Sequence, residues 1–125
     1  MTSPDIPSVR VDAVPAEFDD AEPFAASGSE PTAVLLDVRE DDEWELGHAP
    51  GAIHIPMADV PARAEELDYD SEIYVVCRQG GRSLQVAQYL EHVGFNVVQV
   101  VGGMVAWQKA GRPLTAEGGH EAKIY

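Results

Sequence analysis

One cysteine, Cys77, stands in the whole 125-residue chain. A lone thiol excludes a disulfide framework within the chain, a multi-cysteine zinc site and an internal resolving thiol. Basic residues are scarce as well: 8 Lys and Arg face 22 Asp and Glu, for a formal net charge of −14. Non-specific binding to nucleic acid or to an anionic membrane depends on clusters of Lys and Arg, so neither is expected as a partner. Apolar runs are short. None approaches the roughly 18 residues of a membrane span, and Met1 to Arg10 holds no apolar core of signal-peptide length. A reduced, cytoplasmic location is the expectation. Internal repeats and low-complexity segments are missing too.

What is present is ordinary for a globular protein. Apolar residues make up 45% and charged residues 24%, a balance that argues against a disordered chain. The length fits one domain that buries about two-thirds of its unfolded surface. The charge is unevenly spread. From Ile73 to Ala116 stand Arg78, Arg82, Lys109 and Arg112 against Glu91 alone, leaving +3 there and −17 elsewhere. Basic charge is kept around the cysteine, which is easier to explain by a small anionic ligand than by chance.

In chain order, strand and helix signals alternate. Ser8 to Val14 reads as a short strand, and Pro15 to Ala26 as one helix or two short turns broken by Pro23. Ser27 to Pro31 is a loop. Ala33 to Val38 is a nearly unbroken apolar run, as expected of a strand covered on both faces. The acids from Glu40 to Glu45 around Trp44 suit a short helix stopped at Gly47, with a solvated acidic face rather than a metal site. Ile53 to Ile55 is a strand, and Met57, Val60, Ala64 and Leu67 recur at helical spacing, with Asp59 as a candidate cap. Ile73 to Val76 is the strand that leads into Cys77. Residues 83 to 93 carry apolar rows through Leu84, Ala87 and Leu90 and through Val86, Leu90 and Val93, closed by Gly94. Val97 to Val101 is a further strand, and Gly102-Gly103 turns the chain into a last helix ended by Gly111 and Pro113. This alternation predicts a three-layer α/β domain with a mainly parallel sheet over residues 8–114, preceded by an extension (1–7) and followed by an exposed tail (115–125).

The segment Cys77-Arg78-Gln79-Gly80-Gly81-Arg82-Ser83 joins a strand to the longest helical pattern. Ligands of such sheets bind beyond the carboxyl ends of strands. A glycine-bearing turn that opens into a helix presents backbone N–H groups to one point, and the helix N-terminus adds roughly half a positive charge. With Arg78 and Arg82 in the loop and no acid, the thiol is expected to titrate below its free value of about 8.5. Ser83 is either the helix N-cap or a ligand contact.

Four pieces together resemble a known family: Leu35 to Glu40, then Gly47-His48-Ala49-Pro50-Gly51-Ala52 with Ile55-Pro56, then Cys77 to Ser83, then Gly102 to Trp107 with Ala110 to Leu114. In this order and spacing they are similar to a single-domain rhodanese. The resemblance implies an α/β/α domain around a five-stranded sheet, and sulfur transfer through a persulfide on Cys77 without a cofactor or metal. Dual-specificity phosphatases of the cell cycle share that fold but carry five residues between cysteine and arginine. Here four residues, Arg78 to Gly81, separate Cys77 from Arg82, which favours the sulfur-transferring members.

On this reading Cys77 is the nucleophile, and Arg78, Gln79, Gly80, Gly81, Arg82 and Ser83 surround the donor. The two arginines hold the donor's oxygens, which leans it toward a dianion such as thiosulfate. Arg82 has a competing role, pairing with a carboxylate beneath the loop. The acceptor must be external: cyanide, a small thiol, or a protein thiol of thioredoxin-like kind. A persulfide carrier or rhodanese-like interaction module is the alternative to an enzyme. Asp37 and Arg39 are expected to form a structural ion pair, His48 to brace its turn, His54, His92 and His120 to be surface or hydrogen-bonded histidines, and Trp44 and Trp107 to pack in the core or at its rim.

Overall fold

The strands are apolar on both sides because both sides are covered. In the computed structural model, which describes residues 6–15, 33–116 and 121–124, the elements are Ser8–Arg10 (β1), Ala33–Asp37 (β2), Asp41–Leu46 (α1), Ile53–His54 (β3), Val60–Arg63 (α2), Glu72–Val76 (β4), Gly81–His92 (α3), Asn96–Val101 (β5) and Gly103–Lys109 (α4). Successive strand residues point to opposite faces. Leu36, Ile73, Val75 and Val97 therefore pack with Val60 of α2 and with Val86, Ala87 and Leu90 of α3. Leu35, Tyr74, Val76, Val98 and Val100 pack on the other face with Met104 and Trp107 of α4. The result is the expected α/β/α sandwich. Its five-stranded sheet has the order β1-β5-β4-β2-β3, and each of its pairings is parallel.

Several details depart from expectation. The pattern from Met57 to Leu67 is not one helix but two 3₁₀ turns, Met57–Asp59 and Ala64–Glu66, around the four-residue α2. Pro61 has no N–H to give, and short pieces tighten readily into 3₁₀ geometry. Asp59 stands at the N-cap position of α2 without a side-chain cap bond. Helix α3 begins at Gly81, and Gly80 rather than Ser83 is its N-cap. Leu84 and Val93 lie exposed on it, so its buried stripe is Ser83, Val86, Ala87 and Leu90. Its end is closed as expected at Gly94: the Gly94 N–H donates to Glu91 O and the Phe95 N–H to Leu90 O, with Phe95 and Leu90 in one cluster. The first strand stops at Arg10, and Val11–Ala13 forms a 3₁₀ turn. The helix or turns expected between Pro15 and Ala26, and the loop from Ser27 to Pro31, lie outside the described residues beyond Pro15 itself.

None of the described residues of the expected exposed tail is buried, and Thr115, Glu121 and Lys123 are exposed, but parts of it bond to the domain through the backbone. Thr115 bridges His48 through two backbone bonds, the Lys123 N–H donates to Leu46 O at 2.9 Å, and Ile124 packs against the α4-side core. Lys123 is thus bonded to the last residue of α1, and Thr115 to the turn that follows it. Among the described residues no helix is long and apolar enough to cross a membrane.

Candidate active site

Cys77 follows directly on β4, which lies between β5 and β2, so the thiol sits at the carboxyl end of the middle strand. Its side chain continues the alternation of Ile73 and Val75 onto the α3 face and is only 1% exposed. The chain then bends through Arg78, Gln79 and Gly80. Gly80 has φ +147° and ψ −20°, a conformation that residues with a Cβ rarely adopt. The first bond of α3 runs from the Leu84 N–H to Gly80 O. The N–H groups of Gly81, Arg82 and Ser83 therefore have no partner within the helix, as in any first helical turn.

The loop's carbonyls show which way its amides face. The Met104 N–H donates to Cys77 O at 2.8 Å and the Val105 N–H to Arg78 O at 3.0 Å, so the first turn of α4 holds both carbonyls. In a trans peptide the C=O and the following N–H point in opposite directions. The N–H groups of Arg78 and Gln79 are thereby turned away from α4. This arrangement depends on Gly103. Its φ is +62°, and a Cβ there would lie 2.4 Å from both the Cys77 and the Arg78 carbonyl oxygens. Gly102-Gly103 is the turn expected from the sequence, and the second glycine also lets α4 approach the loop closely.

Arg82 is engaged from below. Its Nη1 and Nη2 donate to Oε1 and Oε2 of Glu43 at 2.8 and 3.0 Å. The bracing role held in reserve for Arg82 is thus present in the geometry, and its partner is one of the acids read as a solvated face. Asp41, Asp42 and Glu45 do lie exposed, but Glu43 turns inward. The Arg82 hydrogen bond is the main cause holding the Glu43 carboxyl below its ordinary range. Reciprocally, the Glu43 bond raises the Arg82 guanidinium above its ordinary value.

Glu43 is positioned by a buried ion pair. Arg39 and Asp37 are both fully buried, with Arg39 Nη2 at 2.7 Å and Nε at 2.9 Å from the Asp37 carboxylate oxygens. This is the structural pair expected from the sequence. It does more than join two side chains: Arg39 Nη1 also reaches Glu43 O and Nη2 reaches Gly47 O, tying the middle of α1 and its C-cap to the sheet. His48 braces its turn as expected, with Nδ1 at 2.8 Å from Trp44 O and its ring stacked on Trp44 at 3.5 Å. His54 stacks on the same indole and bonds Arg39 O through Nε2. Trp107 is buried in the α4-side core.

The remaining loop residues divide between rim and floor. Gln79 and Gly81 are exposed, Arg78 and Gly80 are half-buried, and Ser83 is fully buried. The Ser83 hydroxyl donates to Gly80 O at 3.0 Å, so this residue supports the loop from beneath instead of capping the helix. Among the described residues no group of three or more His, Cys, Asp or Glu is arranged to hold a metal ion.

Comparison with known proteins agrees with this geometry. Residues 20–110 match the family described as Rhodanese-like domain. YtwF of Bacillus subtilis, whose name contains the word sulfurtransferase, is 48% identical over 79 residues, covering 63% of this chain and 77% of the relative. YrkF of the same organism, whose name contains the words sulfur carrier protein, is 46% identical over 74 residues, covering 58% of this chain and 40% of the relative. The crystal structure of a rhodanese-like domain protein from Staphylococcus aureus superposes with a TM-score of 0.67 at 32% identity, covering 94% of this chain and 99% of that one. With the match extending over most of its length, the chain belongs to the family of rhodanese-like domains.

Proposed function

We propose that the protein is a sulfurtransferase that takes a sulfane sulfur from a small anionic donor, with thiosulfate the favoured candidate, and holds it as a persulfide on Cys77. The observation that carries this reading is the position of the thiol. Cys77 lies at the end of the middle strand, under a loop whose first two carbonyls are held away by α4. The amides beyond them, with the N-terminus of α3, are left to face an anion.

In the first step the Cys77 thiolate attacks the outer sulfur of thiosulfate. An S–S bond forms to Sγ, the donor's own S–S bond breaks, and its electron pair leaves with sulfite. The loop N–H groups stabilise the persulfide anion as an oxyanion hole stabilises oxygen. In the second step an external nucleophile, cyanide or a thiolate, attacks the outer sulfur and releases the Cys77 thiolate. Each step conserves charge, and neither requires an oxidant or a metal.

A second reading is a persulfide carrier that exchanges sulfur with partner proteins and turns over small molecules slowly; the name of YrkF favours it. Steady-state kinetics separate the two. Thiosulfate-dependent formation of thiocyanate from cyanide that Cys77→Ser abolishes supports the enzyme, whereas loading of Cys77 with rapid transfer only to a thioredoxin-like dithiol supports the carrier. Failure of thiosulfate to load the protein at all rejects thiosulfate as donor under both readings.

A further inference from the structure

Strand β5 reads Asn96-Val97-Val98-Gln99-Val100-Val101, an apolar run interrupted by one amide. Gln99 shares its face with Val97, which packs beneath α3, and in register it lies beside Val75, two residues before Cys77. An apolar side chain would serve packing there. A polar one costs free energy unless its hydrogen bonds are made. They are made, and they lead to the loop: Nε2 donates to Gly80 O at 3.0 Å and lies 3.5 Å from Ser83 Oγ, while Ser8 Oγ of β1 lies 3.3 Å from Oε1. The Gly80 carbonyl thus receives the Gln99 amide as well as the Ser83 hydroxyl and the Leu84 N–H.

We infer that Gln99 is a positioning residue of the Cys77 site: by holding the Gly80 carbonyl toward the sheet it turns the following amide, the Gly81 N–H, outward to face the sulfur anion. The Leu84 N–H and the Ser83 hydroxyl hold this carbonyl from within α3, and Gln99 adds an anchor from the sheet. Gly80 sits where only glycine is comfortable, and a peptide with so few steric limits rotates easily unless its carbonyl is anchored. Gln99 does for Gly80 what α4 does for Cys77 and Arg78. Three of the loop's carbonyls are then fixed from two directions, with their amides on the far side.

The inference rests on the proposed thiolate chemistry, but its test needs no sulfur donor. Cys77 is alkylated with iodoacetamide across a pH series in the wild type, Gln99→Leu and Gln99→Met, with thermal unfolding recorded for each. Both replacements remove the donor and put an apolar side chain of similar size in its place. Loss of one aligned amide is expected to raise the pH midpoint of alkylation by about half a unit, a roughly threefold lower thiolate fraction below the midpoint. A folded variant with the wild-type midpoint overturns the inference, whatever its melting temperature. So does failure of both variants to fold, since Gln99 would then serve the core. If the midpoint shifts but thiosulfate never loads the wild type, the positioning role stands and the proposed donor falls.

Discussion

Glu43 and Arg82 meet carboxylate to guanidinium in a two-bond pair, at 2.8 and 3.0 Å, across 39 positions of sequence. The contact joins α1 to the first turn of α3 and so closes a chain of support. Buried Asp37 holds Arg39, Arg39 holds the middle and the C-cap of α1, and α1 presents Glu43 to the arginine that ends the cysteine loop.

Replacing Glu43 by Gln leaves shape but removes the charge. At neutral pH the variant is expected to lose about 1–2 kcal/mol of stability, between the values for exposed and buried pairs. Because Arg82 holds the Glu43 carboxyl below its ordinary value of 4.5, its contribution is full above that value and is lost as pH falls below it. The stability gap between wild type and Glu43→Gln should therefore narrow in acid, as denaturant titrations below and above that pH will show. A gap independent of pH contradicts the pairing.

Arg82→Ala separates bracing from binding. If Arg82 only braces the loop, this variant and Glu43→Gln lose sulfur-loading rate alike. Direct contact with the donor predicts a further loss of about tenfold in Arg82→Ala beyond Glu43→Gln, mainly as a raised thiosulfate requirement. Stopped-flow sulfite release at several donor concentrations distinguishes the outcomes.

Gly103→Ala places a methyl 2.4 Å from two carbonyl oxygens at a positive φ. Either α4 retreats or the loop turns. The expected result is a loss of at least about 2 kcal/mol together with slowed alkylation of Cys77. An alanine variant with wild-type stability and reactivity would show that the close approach of α4 does not orient the loop.

Arg39→Met leaves the Asp37 carboxylate buried without its partner. A loss of about 3–5 kcal/mol is expected by chemical denaturation, and restoring balance with Asp37→Leu in the same chain should recover part of it. If the double variant is no more stable than Arg39→Met, the cost lies in the lost bonds to α1 and not in the stranded charge.

The main chain of the site was legible in the sequence, its supports less so. Cys77 to Ser83 could be placed because a buried strand, glycines and a helical pattern are local signals. Glu43 was hidden among like residues: five acids between Glu40 and Glu45 look alike in one dimension, and only the docking of α1 shows which one turns inward. The break at α2 was masked because its apolar spacing holds through 3₁₀ turns as well as through a helix. The tail has no periodicity, and the bonds of Thr115 to His48 and of Lys123 to Leu46 run through the backbone, which leaves no mark on side-chain pattern. Gln99 did leave a mark, as the one polar residue in a valine run.

The central claim is that Cys77 itself carries the sulfur. Intact-mass measurement after incubation with thiosulfate and removal of excess donor tests it most directly. The account predicts a gain of about 32 Da, one sulfur per chain, reversed by cyanide and absent in Cys77→Ser. An unchanged mass in the wild type, or the same gain in Cys77→Ser, would contradict it.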